Sequence, residues 1–185
     1  MDDKVLKDLY PQRRDLRLRS YDYTWQGAYF VTICSQDKLS LFGQIVDSTM
    51  KLNPFGKVVE SVWQEIPLHY PEVNNEVFIV MPNHIHGIIS IHEVERAGSK
   101  PAPTKNHPLS EIVRAFKTYS SRRINELRNS QGTPVWQHNY YEHVIRSESD
   151  YHQIGEYIFY NPAEWETDRE NPFAKLKSPS SPFER

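Results

Sequence analysis

The chain has 185 residues, enough for one sizeable core and short for two. Apolar residues make up 38% and charged residues 25%, which excludes a disordered chain, and no apolar run approaches the roughly 20 residues of a membrane span. A net charge of −2 argues against a general polyanion binder, except where basic residues are grouped, because phosphates feel the local field.

Two such groups exist. Arg13, Arg14, Arg17 and Arg19 form the first; Arg114, Lys117, Arg122, Arg123 and Arg128 form the second. Each reads as a DNA-backbone contact or, equally, as a solvated face. The single cysteine, Cys34, has no partner for an internal disulfide, and no apolar stretch follows the charges of residues 1–7. A reducing cytoplasm is the expected setting, with no secretory leader and no membrane contact.

In chain order, residues 1–27 are polar, basic and rich in tyrosine, and read as an extended arm. Residues 29–34 are dense in β-formers and predict a strand; residues 41–46 predict a second, short one. Asn53-Pro54 opens a helix, with an N-cap type followed by proline at the first helical position. Val58, Val59, Val62, Trp63 and Ile66 keep helical spacing until Pro67 and Pro71. Residues 77–80 and 85–91 predict two strands joined by a tight connection or bulge at Pro82-Asn83.

Residues 93–108 predict a loop insertion. A long helix follows over 109–127, with Ser110 as N-cap and Ile112, Val113, Phe116, Ile124 and Leu127 as its buried stripe; Arg114, Lys117 and Arg128 face outward. Residues 135–145 predict another strand. Asp150 caps a last helix, in which Ile154, Tyr157 and Ile158 keep helical spacing up to Asn161-Pro162. Residues 171–185 read as a disordered tail. The order β-α-β-β-α-β-α predicts an α+β fold. It is a single domain over 28–170, built on a ferredoxin-like antiparallel sheet with helices on one face and a further C-terminal helix.

Two pairs of residues carry chemistry. His84-Ile85-His86 lies in apolar sequence, and alternate side chains of a strand share a face, so both imidazoles point the same way. Paired neutral imidazoles can hold one metal ion; the other reading is two unrelated polar residues. Gly87 leaves room for something bulky to approach closely. Tyr157 and Asn161, spaced i and i+4, stack on one helix face. A phenol can attack a phosphate once activated, and its amide neighbour can ligate a cation. The other reading is a core tyrosine and a helix-ending asparagine. Tyr151 and Tyr160 lack the i+4 relation to Asn161. Tyr140 and Tyr141 read as packing or base-stacking residues, and Tyr21, Tyr23 and Trp25 could stack bases.

The segment Met81-Pro82-Asn83-His84-Ile85-His86-Gly87-Ile88 resembles the HUH motif (His, hydrophobic, His) of single-tyrosine transposases. Residues 109–117 and 136–146 resemble their second helix and the strand before the nucleophile helix. Tyr157-Ile158-Phe159-Tyr160-Asn161-Pro162 resembles the nucleophile helix of the REP-associated tyrosine transposase branch. The matches keep their order from about 29 to 165.

The resemblance implies a role for each matched residue. His84, His86 and Asn161 would ligate a divalent ion, Mg2+ or Mn2+. Tyr157 would attack the scissile phosphate and leave a 5′-phosphotyrosine and a free 3′-hydroxyl. The substrate would be single-stranded DNA beside a palindromic hairpin. Members are monomers or homodimers. Many mobile relatives carry Gln where Asn161 stands, which sets this chain nearer the REP-associated branch. Arg13, Arg14, Arg17, Arg19, Arg114 and Lys117 are the candidate backbone contacts. Two rivals stay open: a single-stranded nucleic-acid binding module without chemistry, and a metal-dependent phosphodiesterase that activates water.

Overall fold

The computed structural model describes residues 26–75, 77–93 and 107–174. The arginines of the expected arm, most of the 93–108 loop and the tail from 175 lie outside the described residues. So do Tyr21, Tyr23 and Trp25.

Strand β1 (Gly27–Cys34) opens the described chain. A hairpin follows, β2 (Gly43–Val46) with β3 (Thr49–Leu52), where a single short strand was expected. Its two-residue turn, Asp47-Ser48, has φ of 49° and 57°, the left-handed pair that matches the twist of the flanking strands. Helix α1 (Pro54–Gln64) starts as the sequence indicates: Asn53 Oδ1 accepts from the Gly56 backbone N at 2.9 Å, and Pro54 sits at the first helical position. It stops at Gln64, and the turn α2 (Ile66–His69) takes Pro67 into its first residues. Strands β4 (Val73–Asn74), β5 (Phe78–Val80) and β6 (His84–Ile91) come next. The remainder is α3 (Leu109–Leu127), β7 (Tyr141–Ile145) and α4 (Glu148–Tyr160).

The sheet is antiparallel throughout. β6 and β1 are central, β7 flanks β1, and β4 and β5 both pair with β6 on its far side. Taking β1, β5, β6 and β7 as the four core strands, the first and third lie in the middle, the ferredoxin-like arrangement. Helices α1 and α3 cover one face; α4 packs on the other.

The residue period of two sorts the side chains. Tyr29, Val31 and Ile33 on β1, with Ile85, Ile89 and Ile91 on β6, meet Val59, Val62 and Trp63 of α1 and Ile112, Val113 and Phe116 of α3. Gly87 serves this layer. A Cβ there would lie 2.4 Å from Trp63 Cζ2, so only glycine lets the indole rest on the strand. The opposite face presents Phe30 and Ile88, which pack against Ile154 and Ile158 of α4.

Four boundaries differ from the sequence reading. Ser147, not Asp150, caps α4, its Oγ accepting from the Asp150 backbone N at 3.1 Å. Leu109 already belongs to α3, which Pro108 precedes with no side-chain cap, so Ser110 is not the cap. Leu127 is 55% exposed, and the last turn of α3 buries Ile124 and Asn125 instead. Strand β7 begins at Tyr141; of the expected start at 135 a single bridge remains, Trp136 opposite Ser35, and beyond it the carbonyls of Gln137, His138 and Asn139 all turn to the Lys117 ammonium, at 2.9, 3.1 and 3.0 Å. No helix among the described residues is long and apolar enough to cross a membrane.

Candidate active site

The α4 face of the sheet holds the site. Register sets Thr32 of β1 opposite both His86 of β6 and Tyr141 of β7, so three strands contribute one row beneath the helix. His84 and His86 occupy the start of β6 and are 0% and 2% exposed, while Ile85 between them faces the apolar layer. Their Nε2 atoms stand 2.9 Å apart.

Each imidazole is held from behind. His84 Nδ1 lies 2.8 Å from Asn83 Oδ1. The Asn83 amide nitrogen is committed to two carbonyls, Glu170 at 2.7 Å and Lys38 at 3.2 Å, so its oxygen must face the ring. His84 therefore donates through Nδ1–H and leaves a lone pair on Nε2. His86 Nδ1 lies 2.9 Å from Thr32 Oγ1. A hydroxyl can donate or accept, so His86 can present either Nε2–H or an Nε2 lone pair to its neighbour. Burial, with Lys38 nearby, pushes His84 down to about 3; burial, then His84, holds His86 well below the usual histidine range. Both rings are neutral at pH 7, the form that binds metals.

Helix α4 lays Tyr157 over this pair. Its hydroxyl is 3.3 Å from His86 Nε2, and its ring meets Phe30 edge-on at 6.1 Å. Burial, then the Asp168 and Glu170 carboxylates, raises its pKa above the usual tyrosine value. The phenol is thus harder to ionise than a free one, and a cation in the site would act the other way.

Asn161 ends the helix, 1% exposed. Its Nδ2 donates to Asp168 Oδ2 at 2.9 Å, and its buried Oδ1 has no hydrogen-bond partner among the described residues. An unmet buried oxygen costs about 1–3 kcal/mol, which a cation would offset. Asp168 was not among the residues singled out from the sequence. It follows the short turn Trp165–Thr167, in irregular chain where no periodicity marks it. Ligand atoms of His84, His86 and Asp168 all lie within 4.8 Å of one another. Two imidazole nitrogens, a carboxylate and an orphaned amide oxygen form a donor set that fits a divalent cation.

The structure thus brings together His84, His86, Tyr157 and Asn161. It does not bring Arg114 or Lys117 to them. Both belong to α3, on the other face of the sheet. Arg114 is exposed. Lys117 does not point outward as expected, since its ammonium is engaged by the three carbonyls before β7, and burial pulls its pKa down to about 8. Tyr160 is 57% exposed, and Tyr151 joins the apolar cluster beneath α4.

No family model matches the chain. An uncharacterized protein of Haemophilus influenzae is 42% identical over 167 residues, which span 85% of this chain and 92% of that one. A second protein of the same organism, provisionally named a REP-associated tyrosine transposase, is 25% identical over 142 residues, 76% of this chain and 73% of that one. Among solved structures, a REP-associated tyrosine transposase bound to a REP hairpin superposes with a TM-score of 0.54 at 19% identity, covering 80% of this chain and 73% of that chain. The fold and site geometry define a protein with a paired-histidine strand beneath a tyrosine-bearing helix. With that solved structure the chain shares its fold.

Proposed function

We propose that this protein nicks and rejoins single-stranded DNA beside a palindromic hairpin, with Tyr157 forming a covalent 5′-phosphotyrosine. The observation that carries the reading is the Tyr157 hydroxyl, 3.3 Å from Nε2 of a buried, neutral histidine pair. In the forward step a phosphorus–Oη bond forms as the phosphorus–O3′ bond breaks. The phenol gives up one proton and the 3′ oxygen gains one, so the exchange needs no external energy source. The reverse step, attack by a 3′-hydroxyl, rejoins the strand, and a phenolate is a fair leaving group for it.

A divalent ion, Mg2+ or Mn2+, held by His84, His86 and Asn161 would supply polarisation of the phosphate oxygens. The chain's own part is positional. Phe30, Ile154 and Ile158 fix the approach of α4, and Thr32 and Asn83 fix the two rings. A hairpin would be held through its phosphates by Arg114 and by Arg13, Arg14, Arg17 and Arg19. Lys117 is a poorer candidate, because its three donors are already used.

The test takes the purified full chain, Mn2+ or Mg2+, and labelled hairpins with single-stranded flanks drawn from repeats around the gene. On denaturing gels the wild type should show a slow labelled protein–DNA band. In Tyr157→Phe the band should vanish and nicking should fall by at least about 1,000-fold. Nicking that persists without an adduct in Tyr157→Phe would indicate hydrolysis by water. Hairpin binding without cleavage in either metal would indicate a binding module.

A further inference from the structure

Asp168 is 7% exposed, and among the described residues its carboxylate is met only by neutral donors: Asn161 Nδ2 on Oδ2 at 2.9 Å and the Glu170 backbone N on Oδ1 at 2.6 Å. Among the described residues no lysine or arginine pairs with it; Lys38 and Arg169 pair with Glu170 instead, at 3.0 and 3.4 Å. A carboxylate withdrawn from water needs a compensating charge. Facing it are the Nε2 atoms of His84 and His86, within 4.8 Å, and beside it is the partnerless Oδ1 of Asn161. An ionised carboxylate offers about four lone-pair positions and here uses two, so it keeps capacity for a cation.

We infer that Asp168 is the anionic ligand of the cation site, and that the bound cation fastens the segment 165–170 to strand β6. The inference rests on the divalent ion proposed above. Asn161 then has a second task, positioning the Asp168 carboxylate through its amide nitrogen.

The segment is already laid against the strand ends. Asn83 Nδ2 donates to the Glu170 carbonyl at 2.7 Å, Cys34 Sγ donates to Glu170 Oε2 at 3.2 Å, and the Trp165 ring centres 6.0 Å from that of His84. One carboxylate against a dication leaves a single positive charge, the complement of one phosphodiester. Two imidazoles with one carboxylate also move the preference from Mg2+, which favours all-oxygen sites, toward Mn2+.

The experiment titrates Mn2+ into the full chain and follows free Mn2+ by electron paramagnetic resonance, for the wild type, Asp168→Asn and His84→Gln. Hydrogen exchange of residues 165–170 is read with and without Mn2+, and metal-free thermal unfolding reports the integrity of each variant. Asp168→Asn should weaken Mn2+ binding at least 10-fold while unfolding like the wild type. Mn2+ should slow exchange at 165–170 in the wild type and leave it unchanged in Asp168→Asn. Wild-type affinity in Asp168→Asn, with binding lost in His84→Gln, overturns the inference and leaves the cation site standing. Wild-type binding no stronger than that of His84→Gln removes both. Should Asp168→Asn fail to fold, unslowed exchange at 165–170 in Mn2+-loaded wild type is enough to overturn it.

Discussion

At the residue scale, several side chains of the site are set by burial more than by sequence neighbours. Cys34 shows this plainly. Burial, then the Glu170 carboxylate that accepts from its Sγ, pushes the thiol up from its ordinary 9.0 to about 12. Because the folded value is the higher, the unfolded chain releases its proton first. The stabilisation is complete below pH 9 and is lost as pH rises from there through 12. The same shift silences the thiolate, the reactive form. Alkylation by iodoacetamide at pH 8 should run on the order of 1,000-fold slower than for a free cysteine and recover in denaturant. A native rate near that of free cysteine would mean that Glu170 is not docked as described. His84 and His86 were legible beforehand, since a strand's period of two guarantees a shared face. Asp168 was not, because it lies past a short turn where spacing carries no information about direction.

Elements succeed or fail on a few contacts. Gly87 and Trp63 are one such contact: Gly87→Ala would place a Cβ 2.4 Å from the indole and force either α1 or β6 to move. A loss of about 1–3 kcal/mol in denaturant unfolding is expected, the range for overpacking. Stability equal to the wild type would show that the layer yields more easily than close packing allows. Ser147→Ala should cost about 1 kcal/mol through loss of the cap on α4, the helix that carries Tyr157. Helix α1 was readable from Asn53-Pro54 because capping chemistry is local. The hairpin β2–β3 was not, since its turn uses Asp47-Ser48 in place of a glycine-containing pair, and two left-handed non-glycine residues leave no clear mark. The start of β7 was missed for a tertiary reason: Lys117, about 20 positions upstream, claims the carbonyls that would otherwise extend the ladder.

Across the whole molecule, the helix layer of α1 and α3 and the site lie on opposite faces of one sheet. Under the proposed function, Arg114 would therefore touch a DNA flank and not the scissile phosphate. Arg114→Ala should reduce the steepness of hairpin affinity against salt, in logarithmic terms, by about one, with nicking of saturated complexes unchanged. An unaltered slope would move the hairpin to another surface. The order of elements revealed the antiparallel sheet with two helices on one face, because βαββαβ leaves few ways to connect it, but it did not reveal that α4 and the site take the other face.

The alternation along β6 has a further consequence. His84 and His86 look toward α4 only because Ile85 and Ile89 look toward the core, and a slip of one residue in its pairing with β1 would exchange the two sets. The imidazoles would then sit in the apolar layer and the isoleucines under Tyr157. A chain in that register would be both unstable and chemically blank. For a protein proposed to cut DNA, a copy paired in the wrong register would thus carry no cutting site at all.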